Sequence, residues 1–268
     1  MLGIQVIHLL GQRSEEGSEA PPVSLGRRIP QLSDIDASPV ACGHRRCHEN
    51  SVPRPPVQVQ NRPMADIRTF RDAVTSWAAG SPGGPASELA VRLCVRTVVL
   101  LEGPSDLAAV ETLAARYGRD LPAEGVCVMP MGGAMSVGRY AGLLGPPGLG
   151  LRLTGLCDEG EQRFYDRGLE RARAPRQGFF VCVTDLEDEL IRALGVAQVE
   201  EIVQAEGELQ AWQTFVRQPA QQGRPPHQQM RRFLGTKKGR KIRYGRLLVE
   251  ALDSERVPAP LDNLLAIL

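Results

Sequence analysis

From Met64 onward the apolar residues of this chain switch repeatedly between a helical and a strand period. "MADIRTFRDAVTSWAAG" sets Ile67, Phe70, Val74 and Trp77 three or four residues apart, which predicts one face of an amphipathic helix. "GSPGGP" interrupts as a loop. "ASELAVRLCV" then predicts a helix leading into "RTVVLLEG", a strand apolar enough to be buried on both faces. Beyond it, Ser105 is placed to cap a helix reaching about Tyr117. "GVCVMPMGG" predicts a strand ended by glycines, and "AMSVGRYAGLLG" a helix closed by Gly145. "LRLTGLCD" and "GFFVCVTD" predict two further strands, followed by the helices "EGEQRFYDRGLERAR" and "LEDELIRALG".

Strands alternating with helices predict an α/β fold: a parallel four-stranded sheet flanked by helices. After Gly195 only helical patterns remain: "VAQVEEIVQAEGELQAWQTFVRQ", "QQMRRFLG", "GRKIRYGRLLVEAL" and "LDNLLAIL". The expected organisation is a helical lead-in over 64–94, an α/β core over 95–195 and a helical, partly basic extension over 196–268. No internal repeat is visible.

Residues 1–63 have a different texture. They hold eight of the 21 prolines and no sustained period, so they cannot bury enough apolar area to offset chain entropy. They read as a disordered leader or as a stretch upstream of a natural start at Met64. Within them, Cys42, His44, Cys47 and His48 tempt a zinc reading. Structural zinc sites pair two ligand clusters across a folding unit, and four ligands this crowded fit a tetrahedron poorly, so an unstructured tract is the better expectation.

Composition narrows the classes. The formal net charge is +1, so any basic surface must be local. Six cysteines are scattered, four of them in apolar runs, which points to a reducing, cytoplasmic setting rather than a disulfide scaffold. No run of about 18 apolar residues exists, so no membrane partner is expected. "MLGIQVIHLLGQ" lacks the basic flank and cleavage site of a signal peptide.

The acidic residues carry the chemistry. Glu102, Asp158 and Asp185 each sit at the end of a predicted strand, with Glu159, Glu161, Glu187, Asp188 and Glu189 close behind. Ligands of open parallel sheets bind beyond the carboxyl ends of the strands. Like charges gathered there need raised pKa values or a cation, and oxygen ligands of this kind suit Mg²⁺ or Mn²⁺. The competing account is that these are acids favoured by helix N-termini, and for Glu159, Asp188 and Glu189 it is the preferred one. Nucleophile chemistry lacks support: past Met64 the only histidine is His227, expected at the surface. No G-x-x-x-x-G-K-[ST] occurs, so there is no ATP site of that kind in this chain.

"VVLLEGPSD", "LTGLCDEGE" and "VCVTDLEDEL", in this strand order, resemble a Toprim domain, and in particular that of OLD-family (overcoming lysogenization defect) endonucleases. The resemblance spans roughly 96–252, and the rest from Met64 resembles stand-alone actinobacterial proteins with this domain. It implies a Toprim-like (Rossmann-like) fold and a DNA endonuclease using one or two Mg²⁺ or Mn²⁺ ions. It further implies that Glu102 serves metal binding or acid/base work and that Asp106 helps to hold a metal. Asp158 matches the first aspartate of the family's D-x-D motif. The second is replaced by Gly160, with Glu161 the nearest substitute, and Asp185 and Glu187 match the third acidic pair. Lys241 best matches the lysine that assists the scissile phosphate, with Lys237 and Lys238 as competitors.

The basic run from Arg231 to Arg243 (Arg231, Arg232, Lys237, Lys238, Arg240 and Arg243 besides Lys241) is the expected nucleic-acid contact, or else a solvated helix face. Family nucleases carry an ATPase domain ahead of the Toprim unit, and none is found here. That leaves a separate ATPase partner, cleavage by the domain alone, or a module that only binds nucleic acid or a partner. A metal-dependent small-molecule phosphohydrolase and a homo-oligomer also stay open.

Overall fold

A computed structural model describes residues 63–237 and 239–268. The readings made for the leader and its Cys42–His48 cluster lie outside the described residues, as does Lys238. The described chain opens with α1 (Pro63–Ala78) and α2 (Gly84–Arg92) ahead of β1 (Thr97–Leu101). It continues through α3 (Pro104–Arg116), β2 (Val126–Pro130), α4 (Val137–Leu144), β3 (Arg152–Asp158), α5 (Gln162–Arg171), β4 (Phe179–Cys182) and α6 (Leu186–Leu194). Five helices follow: α7 (Val196–Ala205), α8 (Leu209–Val216), α9 (Pro226–Leu234), α10 (Arg240–Ala251) and α11 (Ala259–Ile267).

The strands are all parallel and ordered β2-β1-β3-β4. Each sends alternate residues into two separate cores, which is why the strands read as unbroken apolar runs. Val98 and Leu100 join Cys127, Met129 and Cys157 under α1, α2, α4 and α5. Val99 and Leu101 join Val126, Val128 and Leu156 under α3, α6 and the C-terminal helices. Because β1 has β2 on one side and β3 on the other, the winding reverses between β1 and β3, where crevices open in such sheets.

One sequence expectation needs correction. Ser105 does not cap its helix. The N-cap is Gly103 in extended conformation, Pro104 takes the first helical position where no N–H is needed, and buried Ser105 lies inside the first turn. The long helical pattern after Gly195 forms two helices, broken at Gly207, whose φ of +71° ends α7.

The C-terminal helices complete the second core. Tyr244, Leu248 and Val249 of α10 pack with Val110 and Leu113 of α3 and with Leu190 of α6. The Arg116 guanidinium donates to the carbonyls of Val249 and Leu252, tying the end of α10 to the end of α3. At the other end the backbones nearly touch: a Cβ on Gly245 would stand 2.7 Å from the Ser105 carbonyl oxygen. Only glycine allows that approach, and it brings the first turn of α10 over the residues following β1.

Candidate functional site

Glu102 is the first residue after β1, and Asp106 lies in the first turn of α3. The turn between them is pinned by Asp106, whose Oδ2 accepts the Gly103 N–H at 2.9 Å. Asp158 ends β3. Asp185 is the N-cap of α6, its Oδ1 accepting the Asp188 N–H at 2.8 Å, and Glu187 follows in the first turn. These five carboxylates line one cavity of about 420 Å³ at the carboxyl edge of the sheet, closed opposite by Lys237, Lys241 and Ile242. Glu161 is not part of that wall, although its charge acts on Glu102.

The electrostatics follow from crowding in a partly dry site. Burial, then the charges of Glu102, Asp185, Asp106 and Glu187, push Asp158 up to about 8. Burial and then Glu187 push Asp106 up to about 7, against the Gly103 hydrogen bond and the Lys241 charge. Burial and Glu161 raise Glu102 too, with Lys241 opposing.

Two cations of the chain partly answer this charge. Lys241 Nζ lies 2.9 Å from Glu187 Oε2, and Arg231 Nε lies 2.6 Å from Asp185 Oδ2. Burial works against the Lys241 charge, but Glu187, then Asp185 and Asp106, outweigh it and hold its pKa above the ordinary lysine value. Lys241 is therefore an ammonium, not a base. Glu187 is only 3% exposed, and its Oε1 has no hydrogen-bond partner among the described residues.

No three acidic, cysteine or histidine side chains among the described residues stand together as an ion-enclosing set. The buried cysteines among the described residues offer no alternative: Cys127 and Cys157 are pushed up to about 12, and Cys182 upward as well, all first by burial.

The basic run divides. Arg240, expected to meet nucleic acid, is 4% exposed and turned inward. Its guanidinium forms two 3.0 Å bonds to Glu208, donates to the Phe233 carbonyl and stacks over the Phe233 ring. A guanidinium so engaged cannot reach a phosphate, so the nucleic-acid assignment of Arg240 is corrected to a structural one. Arg243 also pairs with Glu208, at 2.9 Å, and with Glu206 at 3.3 Å. Arg232 and Lys237 are exposed, and Lys237 lines the carboxylate cavity.

Sequence reasoning missed the link between Arg231 and Asp185 and the walls supplied by Gly235, Gly239 and Ile242. Asp185 followed by Asp188 three residues on is a capping pattern, so the capping role of Asp185 was readable. The Arg231 contact was not, because it crosses 46 residues.

The fold and site can be set beside known proteins. The family model described as "Overcoming lysogenization defect protein-like, TOPRIM domain" matches residues 93–159. The structure is similar to the C-terminal region of the Burkholderia pseudomallei OLD protein, with a TM-score of 0.50 and 20% identity over 65% of this chain and 96% of that one. It is likewise similar to the C-terminal region of the Xanthomonas campestris pv. campestris OLD protein, with a TM-score of 0.50 and 23% identity over 64% and 93% of the two chains. No curated protein matches the chain.

Proposed function

We propose that this OLD-like Toprim protein cleaves phosphodiester bonds of DNA with divalent metal. The observation that carries this reading is the single cavity in which Glu102, Asp106, Asp158 and Glu187 face Lys241 at the edge where β1 and β3 part.

The chemistry of the donors suits a hard cation. All the donors are carboxylate oxygens, Glu187 Oε1 is a buried acceptor with no partner among the described residues, and burial and neighbouring acids raise Asp106 and Asp158. Glu102, Asp106, Asp158 and Glu187 would hold Mg²⁺ or Mn²⁺, as one ion or two. Bound there, the metal would supply charge neutralisation at the phosphate and a more acidic water.

The chain's own residues do the rest. Lys241, fixed as an ammonium by Glu187, offers its N–H groups to a phosphate oxygen as negative charge grows there. Glu102, whose pKa is raised first by burial and then by Glu161, is the chain's candidate general base. Lys237 adds positive charge on the same wall.

The test is supercoiled plasmid incubated with the full chain and Mg²⁺ or Mn²⁺. Nicking is expected, falling at least about 100-fold in Glu102→Ala and Asp158→Ala. Nicking that persists in both variants would overturn the assignment. Cleavage by the chain alone would also show that an ATPase partner is dispensable.

A second reading, a Toprim module that binds nucleic acid without cutting it, draws on Lys241 and Arg231 already engaging Glu187 and Asp185. It predicts salt-sensitive DNA binding with no nicking in either metal.

A further inference from the structure

The carboxylate cavity does not end at Asp185. Asp185, Gly235 and Lys241 also line a second cavity of about 330 Å³, whose other walls include Arg231, Arg232 and Thr236. Arg231 and Arg232 in turn line a third, of about 290 Å³, with Arg224, His227, Gln228, Thr184 and Asp188. The three share walls in series, and the balance of charge inverts along them. The first is dominated by carboxylates. The third gathers three guanidinium groups and an imidazole around one acid, Asp188, which Arg192 already engages at 2.9 Å.

Asp185 sits at the crossing. Neither of its oxygens is idle: Oδ1 takes the Asp188 N–H and Oδ2 takes Arg231 Nε. The side chain is 9% exposed, and the backbone before it is held in an unusual shape. Thr184 has a φ of +72°, in the left-handed region that β-branched residues avoid, and strain of this kind gathers at functional sites. Arg224 is also set in place, its Nε donating to the Ala220 carbonyl at 2.9 Å.

We propose that Arg224, His227, Arg231 and Arg232 form a phosphate subsite for the nucleic-acid backbone beside the carboxylate cavity, with Asp185 as a positioning residue that aims Arg231 rather than a metal ligand. The ligand class is a phosphodiester adjacent to the one being cut. Forked guanidinium groups suit its oxygens, and the imidazole supplies a further N–H donor. The inference rests on the nuclease reading above, because it takes the substrate to be a polymer that continues past the first cavity.

The experiment uses the full chain and a short labelled duplex DNA in EDTA, with affinity measured across a salt series and Mn²⁺ binding followed separately by calorimetry. In the double variant Arg224→Gln/His227→Gln, both positions lying at the surface, affinity is expected to fall about tenfold and the salt slope by roughly one. Mn²⁺ affinity should stay unchanged. Asp185→Asn keeps an acceptor for the cap but loses the charge that holds Arg231. It should weaken DNA binding as much as Arg231→Gln does, with no further loss when the two are combined and with Mn²⁺ binding intact.

Unaltered affinity and slope in Arg224→Gln/His227→Gln would overturn the subsite. Loss of Mn²⁺ binding in Asp185→Asn would make that residue a ligand and overturn its positioning role. If the wild-type chain nicks plasmid while the double variant binds as it does, only the subsite fails. If the wild type neither binds nor cuts DNA, the nuclease reading fails and the subsite falls with it.

Discussion

Asp106 and Asp158 hold protons near neutrality, with pKa values of about 7 and about 8, because burial comes first and the neighbouring carboxylates add to it. A carboxyl must lose its proton to bind a metal, so an entering ion displaces protons from this pair. Mn²⁺ affinity is therefore expected to rise as pH increases through about 7 to 8 and to flatten above. Calorimetry in buffers of different ionisation enthalpy would show the released protons. Asp158→Asn should remove the upper part of that dependence. A pH-independent affinity across this range would show that the acids do not bind the ion.

Among single residues, the acids at the strand ends were legible in the sequence because a carboxylate after an apolar run is costly without a purpose. Arg240 was not, since nothing local distinguishes a buried arginine from its exposed neighbours. Its partner Glu208 lies 32 residues away on another helix.

Between elements, the contact of α10 with α3 decides where Lys241 stands. Gly245 is one turn after Lys241, and a methyl group there would press on the Ser105 carbonyl. Gly245→Ala is expected to destabilise the fold by roughly 1–3 kcal/mol through overpacking. It should also cost plasmid nicking more than that instability explains, because Lys241 is pushed away from Glu187. Parallel chemical denaturation and nicking rates would check this.

The Glu208 network is the second joint, linking the start of α8 to α10 through Arg240, Arg243 and Tyr244. Burial raises the Glu208 pKa, but the Arg240 and Tyr244 hydrogen bonds and the arginine charges outweigh it and leave it below the ordinary value. Glu208→Ala strands the Arg240 charge inside the protein and should cost about 3 kcal/mol in a urea melt. A loss under about 1 kcal/mol would mean that Arg240 finds other partners. The helices and strands themselves were readable from periodicity. What periodicity cannot carry is the docking of one helix on another, which depends on a single glycine and on buried partners far apart in sequence.

For the molecule as a whole, the crowded acids make stability depend on pH in the direction opposite to acid denaturation. Asp106 and Asp158 bind protons more tightly folded than unfolded, where carboxyls titrate near about 4. Their contribution is most favourable below about pH 4. It is lost as pH rises through their folded values of about 7 and 8. In EDTA the melting temperature is expected to fall between pH 6 and 8 by this linkage, and saturating Mg²⁺ or Mn²⁺ should reverse the fall. Asp158→Asn should flatten it, whereas a melting temperature that rises over that window would show that the acids are not coupled.

The site also joins distant parts of the chain, since the acids come from the α/β core and Lys241 from a helix that follows it. During synthesis the acids are therefore made before Lys241. A ribosome-bound chain ending before α10 holds the acids without their ammonium group and without the helix that Arg116 secures. Under the proposed function, a chain truncated before Arg240 is expected to leave supercoiled plasmid uncut, and nicking by such a truncation would show that Lys241 is dispensable.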